Sequence, residues 1–253
     1  MVCRCVCRVH ITSDNPSTKM IGANESLVSI VIPTYNEKEN VVPIIHNLHS
    51  VMQKINYRII FVDDSSPDGT AAVIRMMANS YPVELIMRPR KMGLGSAVIT
   101  GVNSTSSPFI VVMDADLQHD PNLVSIMVEK LTAGFDLVIA SRKVQGGRVV
   151  GWSPERKIIS DFATYLAHLF VPRAKNIKDP LSGFFAFKRD ILRGVSLESR
   201  GFKLLLEILA KAHYKRVCEV PLVFRERRTG KSKLNLNEYL LFILLLISLA
   251  KYK

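Results

Sequence analysis

The sequence lacks a thiol pair at any of the usual working spacings. Of the four cysteines in 253 residues, three alternate at Cys3, Cys5 and Cys7 and the fourth is Cys218, which fits neither a CxxC redox site nor the common zinc pairs. There is no GxxxxGK[ST] and no complete GxGxxG, so neither a P-loop nor a dinucleotide fingerprint is supported. No Ser-His-Asp or Cys-His constellation stands out for covalent catalysis. The first residues interleave their apolar side chains with Arg4 and Arg8, unlike a signal peptide. The uncharged run from Tyr239 to Ala250 falls short of the roughly 20 residues that a membrane span needs. Acidic charge is also scarce, 22 Asp and Glu against 34 Lys and Arg, for a formal net charge of +12. That excess favours an anionic partner such as a nucleotide or a phospholipid surface. Nucleic acid is not expected, because the few aromatics are not interleaved with basic residues as stacking platforms would be.

What is present is enough for a full core in one domain with a C-terminal appendage, since 48% of the residues are hydrophobic. The apolar run Phe109 to Met113 reads as a buried strand and breaks off into Asp114, Ala115, Asp116, Leu117, Gln118, His119, Asp120 and Pro121. If the backbone stays extended, Asp114, Asp116 and Gln118 point the same way and offer three oxygen ligands to a hard cation such as Mg²⁺ or Mn²⁺. The same string also suits a plain polar turn, and Asp120 before Pro121 reads as a helix N-cap with proline in the first turn.

The logic of a strand ending in acids recurs. Leu27 to Pro33 is a β-branched run closed by Pro33-Thr34-Tyr35-Asn36-Glu37. A helix over 39–54 follows, whose His46 and His49 read as a solvated face rather than a metal pair. The strand Tyr57 to Val62 ends in Asp63 and Asp64, adjacent carboxylates that repel each other and suit hydrogen bonding to a nucleobase or ribose; Asp68 and Gly69 read as a capped turn. A strand over 83–87 leads to a basic, glycine-rich helix start at 88–97, and a strand over 135–140 ends in Ser141-Arg142. Strands alternating with helices predict a mainly parallel sheet covered on both faces, with every candidate residue at a strand's carboxyl end, where such sheets bind nucleotides. The loop 143–153 carries the only tryptophan, Trp152; it suits closure over a ligand, contact with a membrane interface, or a surface connection with its indole packed inward. A helix over 154–170 starts with Arg156 and Lys157, cations that oppose its dipole unless an anion sits nearby. A strand is expected over 216–224, and then a loop in which Arg225, Arg227, Arg228, Lys231 and Lys233 surround Gly230, as either a solvated turn or a phosphate clamp.

Taken in order, PTYNE at 33–37, DDSSPDGT at 63–70, GLGSA at 93–97, DADLQHDP at 114–121, SR at 141–142, DPLSGFFAF at 179–187 and GKSKL at 230–234 resemble family 2 glycosyltransferases of the GT-A fold, and most closely their dolichyl-phosphate β-mannosyltransferases. Each motif is short, but seven in this order are specific and cover roughly residues 27–235. The resemblance implies an α/β, Rossmann-like GT-A domain over 26–234; residues 1–25, polar and without period, read as a disordered tail, and the apolar run sets a hydrophobic membrane- or partner-contacting helix at 235–253. It implies inverting, metal-dependent transfer of mannose from GDP-mannose to dolichyl or another polyprenyl phosphate. Pro33, Tyr35, Glu37, Val62 and Asp64 would hold the guanosine; Asp114, Ala115, Asp116 and Gln118 the diphosphate, with Asp114, Asp116 and Gln118 on Mg²⁺ or Mn²⁺. Arg142, Arg227 and Lys233 would serve the phosphates of donor or acceptor and, with Asp116, the catalysis. The loop from Arg148 to Arg156 matches a mobile region near the lipid phosphate. A membrane surface on its cytosolic face (endoplasmic reticulum or, in a prokaryote, plasma membrane) and small membrane subunits are the implied partners. Two other readings stand beside this one: a polyprenyl-phosphate glucosyltransferase using UDP-glucose, and a non-catalytic scaffold with a transferase fold. The cysteine-bearing tail matches nothing in the family, and its members differ in how the chain ends.

Overall fold

A computed structural model describes residues 27–198, 201, 203–225 and 236–252. The expected tail at 1–25 and two of the expected phosphate residues, Arg227 and Lys233, lie outside the described residues.

Runs of β-branched residues form the strands, and the helices between them carry an apolar face. In chain order they are β1 (Val28–Thr34), α1 (Lys38–Met52), β2 (Tyr57–Asp63), α2 (Thr70–Met77), β3 (Val83–Met87), α3 (Leu94–Asn103), β4 (Phe109–Val112), α4 (Asn122–Thr132), β5 (Leu137–Ser141), β6 (Arg148–Val149), α5 (Pro154–Phe170), β7 (Phe185–Lys188), α6 (Leu204–Lys211), β8 (Val217–Pro221), β9 (Val223–Phe224) and α7 (Leu236–Leu249). Seven strands make one sheet in the order β3-β2-β1-β4-β7-β5-β8. All its pairings are parallel except those of β7, which runs antiparallel to both β4 and β5. The expected mainly parallel α/β sheet is therefore present.

Alternation along each strand divides the core in two. Val28, Ile30 and Ile32 of β1 face α1 and α4, whereas Val31 faces α3 on the other side. A side chain at Gly101 of α3 would meet Val31 Cγ1 at 2.5 Å, so glycine there lets this helix lie close against β1.

Two expectations need correction. The segment 216–224 is two strands: β8 joins the main sheet, and β9 turns away to pair with β6 in a separate two-stranded ribbon. The extended geometry expected to align Asp114, Asp116 and Gln118 stops at Val112, and a bend takes over. The C-terminal apolar run forms the expected hydrophobic helix, with Phe242, Leu246 and Leu249 buried against the domain, and no helix among the described residues is long and apolar enough to cross a membrane.

Candidate active site

Parallel strands place the ends of β1, β2, β4 and β5 on one edge of the sheet. Three non-glycine residues there have left-handed backbones: Asn36 (φ 55°), Ser65 (φ 54°) and Leu117 (φ 59°), after β1, β2 and β4 respectively. This conformation costs an L-residue roughly 1–2 kcal/mol, and such strain concentrates at functional sites. Leu117 is the least expected of the three, because asparagine tolerates the region best.

At the β1 and β2 tips Pro33 and Val62 are register partners. Both are buried, with Val62 in the core, so their contacts with any ligand run through the backbone. Tyr35 lies at the rim with Lys91 Nζ 4.6 Å from its ring centroid, and Glu37 accepts from Asn40 Nδ2 at 2.7 Å while its own N–H donates to Thr70. The two adjacent acids separate in role. Asp63 turns inward and accepts from Thr34 Oγ1, Ser66 N and Ser66 Oγ, so it holds the turn together. Asp64 pairs with Arg88 and accepts from Met92 N at 3.0 Å. Arg88, expected among the cations at a helix start, is instead buried and also donates to Ser96 Oγ and Gly93 O. Asp68 caps α2 as expected, accepting from Thr70 N and Oγ1.

In the bend after β4, Asp116 Oδ1 accepts from Gln118 N at 3.1 Å and Gln118 Nε2 donates to Arg225 O at 2.6 Å. Asp120 accepts from Asn122 N and opens α4 as expected. The side chain of Ala115 belongs to the core, leaving its backbone for a ligand. The three candidate metal ligands thus stand on a turn rather than on an extended strand. A Cβ at Gly183 would come 3.0 Å from Asp114 Oδ2, so glycine keeps space beside that carboxylate. Two carboxylates and one amide are hard oxygen donors that fit Mg²⁺ or Mn²⁺ with substrate phosphates and water completing the shell. No group of three or more His, Cys, Asp or Glu among the described residues could hold a metal by itself. His49 Nδ1 bonds to Tyr57 Oη at 2.8 Å, and the rings of His46 and His49 both pack on Tyr81.

His119 was not foreseen. It is buried, stacks on Phe184 at 4.8 Å, and its Nδ1 accepts from Asp114 N at 3.1 Å. Burial pushes its pKa from 6.5 down to about 4, so it is neutral at pH 7 and adds no positive charge beside Asp114 and Asp116. Because the unfolded chain protonates first, stability should decline as pH falls from 6.5 to about 4, by roughly 3 kcal/mol at 1.36 kcal/mol per pH unit. Urea denaturation across that range should show the decline, and His119→Gln should remove most of it.

At the tip of β5, Ser182 Oγ donates to Ala140 O at 2.7 Å and Phe184 O accepts from Ala140 N at 2.9 Å. This fastens the 179–184 turn beside Arg142. Arg142 donates through Nε and Nη2 to the two oxygens of Asp179, each at 2.7 Å, and through its backbone N–H at 3.0 Å. Asp179 is fully buried; burial pushes its pKa up, but the bonds and charge of Arg142 outweigh this and hold it below the ordinary carboxylate range. The N–H groups of Lys178 and Asp179 in turn donate to Glu219. Arg142 also lies 5.6 Å from the Trp152 centroid and 5.7 Å from that of Phe224. A cavity of about 680 Å³ between α3 and residues 189–197 lies at the opposite, amino-terminal edge of β4 and takes in none of these groups.

The profile of glycosyl transferase family 2 matches residues 29–195. The chain belongs to that family. Over 207 residues this family 2 transferase is 44% identical to the dolichol-phosphate mannosyltransferase of Pyrococcus furiosus, a match covering 82% of the chain and 59% of the relative. It is 34% identical to the polyprenol monophosphomannose synthase of Mycolicibacterium smegmatis, covering 81% of the chain and 80% of the relative. It is equally 34% identical to the dolichol-phosphate mannosyltransferase of Saccharomyces cerevisiae, covering 82% and 80%. The transferase thus spans 59% of the length of its Pyrococcus relative. A solved structure of Mycobacterium tuberculosis glucosyl-3-phosphoglycerate synthase with Mn²⁺, UDP-glucose and phosphoglyceric acid superposes with a TM-score of 0.65 at 21% identity, over 90% of this chain and 81% of that one, which establishes the shared fold. Of the residues expected in the transferase site, those from Pro33 to Arg142 all stand at the carboxyl ends of β1, β2, β4 and β5. Asp179 and His119 fall inside the quoted motifs DPLSGFFAF and DADLQHDP, and Arg88 in the basic helix start, but sequence reading gave none of them a supporting role. Membership in those motifs was the available signal for the first two.

Proposed function

We propose that this transferase moves mannose from GDP-mannose to dolichyl or another polyprenyl phosphate, with inversion at the anomeric carbon. The observation carrying the reading is its 44% identity to a dolichol-phosphate mannosyltransferase over 82% of the chain, with the expected site residues from Pro33 to Arg142 at one edge of the sheet. Asp114, Asp116 and Gln118 would hold Mg²⁺ or Mn²⁺, which supplies a Lewis acid for the leaving diphosphate. Arg142, with Arg227 and Lys233, would bring the anionic acceptor to an anionic donor. A phosphate monoester has a second pKa near 6 and is already a nucleophile at neutral pH, so no strong base is required. Its oxygen bonds to the anomeric carbon as the bond to the diphosphate breaks, and GDP departs with the electron pair.

A membrane surface on the cytosolic side, and small membrane subunits, belong to the same proposal. The helix α5 turns Ile158, Phe162, Tyr165 and Leu169 outward, and α7 beside it does so with Leu240, Ile243, Leu244 and Ile247. Exposed apolar faces of this kind suit a bilayer interface. The deciding assay offers dolichyl phosphate in liposomes with labelled GDP-mannose or UDP-glucose. Mannose should transfer with Mg²⁺ or Mn²⁺, and a chelator should return the rate to background. Glucose transfer without mannose transfer would replace the donor, and binding of donor without transfer of either sugar would favour a scaffold.

A further inference from the structure

Among the described residues, one buried side-chain polar atom has no hydrogen-bond partner, the indole Nε1 of Trp152. A donor removed from water and left unpaired costs folding free energy, and each such group in a native protein calls for a reason. Its surroundings supply one. Arg156 lies over the indole with its guanidinium carbon 4.2 Å from the ring centroid, and Arg142 approaches to 5.6 Å. Two guanidinium groups therefore flank one ring, a place that suits an anion. Phe224 packs edge-on against the indole at 5.8 Å and covers it. That phenyl ring is carried by β9, which pairs with β6 through only two residues on each side.

We propose that Trp152 is a substrate-binding residue whose indole N–H donates to an oxygen of the acceptor's phosphate monoester, between the guanidinium groups of Arg142 and Arg156. The inference rests on the function proposed above and adds to it a neutral, directional donor. Cations bring any phosphate to this place, whereas a single N–H fixed by two ring contacts selects the orientation of one oxygen. Phe224 packs against the indole, so phosphate entry and withdrawal of Phe224 from the indole occur together. The donor's diphosphate carries the same oxygen chemistry and is the other source the test must separate.

Trp152 is the only tryptophan, so its emission reports on this position in the unmodified full chain. The probes are farnesyl phosphate, farnesol and GDP, each added with Mg²⁺. A saturable emission change with farnesyl phosphate, absent with farnesol and GDP, is expected. In the transfer assay Trp152→Phe, which keeps a ring for the arginines but deletes the N–H, should raise the KM for farnesyl phosphate about ten-fold, as loss of a hydrogen bond to a charged group does, with the GDP-mannose KM within about two-fold. An emission change produced by GDP alone would overturn the proposal in favour of the donor. So would an unchanged acceptor KM in Trp152→Phe, which would leave the N–H directed at the face of Phe224. If the wild-type chain transfers no mannose, calorimetric binding of farnesyl phosphate by wild type and Trp152→Phe decides the question instead. A ten-fold difference in Kd then supports the subsite while the transfer reading fails, and equal Kd values overturn both.

Discussion

Replacing Asp116 with alanine is expected to lower mannosyl transfer at least about 10³-fold, a loss on the scale of removing a principal electrostatic stabiliser from a transferase site. The geometry allows the chemical loss to be separated from damage to the turn. Asp116 is asked to perform two tasks, since its Oδ1 accepts from Gln118 N and its carboxylate is one of the proposed ligands of the divalent cation. Alanine removes both and should cost about 1 kcal/mol of stability for the lost turn bond. Asparagine keeps an acceptor oxygen at the same place but not the charge, so Asp116→Asn should be as stable as wild type and nearly as inactive as Asp116→Ala. Parallel denaturation curves and initial rates at saturating Mg²⁺ check this. If Asp116→Asn retained activity at saturating metal, the carboxylate would have no part in holding the cation.

The sheet and the site's outline could be read from the chain because they rest on local patterns. Buried strands such as Val28–Thr34 and Tyr57–Asp63 are predominantly apolar and rich in β-branched residues, and each ends where turn residues and acids begin. Pairings between distant residues carry no such mark. Arg88 meets Asp64 across 24 positions and Asp179 meets Arg142 across 37, so neither pair shows in any window of sequence. The bend at Leu117 was hidden for a different reason: a leucine with positive φ contradicts its own local preference and is held there by tertiary packing. The short β9 escaped notice because a two-residue strand has no periodicity to detect. Its pairing with β6 nevertheless decides where Trp152 and Arg156 stand, and the Gln118 bond to Arg225 ties the same segment to the carboxylate bend.

The ion pair of Asp179 with Arg142 should prove necessary for activity and dispensable for folding. Asp179 is fully buried and the Arg142 side chain is 12% exposed, so removing the carboxylate leaves a cation largely out of water. Asp179→Ala is therefore expected to lose about 3–5 kcal/mol of stability, and with Arg142 unanchored its transfer rate should fall as well. A stability defect alone would not reveal the pair's purpose, because removing one partner of any buried pair is costly. Replacing both partners with apolar residues of similar size, as in Arg142→Met with Asp179→Leu, removes the desolvation cost along with the attraction and is often neutral. The double variant should regain stability to within about 1 kcal/mol of wild type and remain inactive. Urea midpoints and transfer rates for the three proteins decide the matter. Recovery of activity together with stability would reduce the pair to a structural tie. Stability without activity would mean that a charged pair is kept here, where an apolar one would fold as well, because the remaining edge of Arg142 has a phosphate to hold.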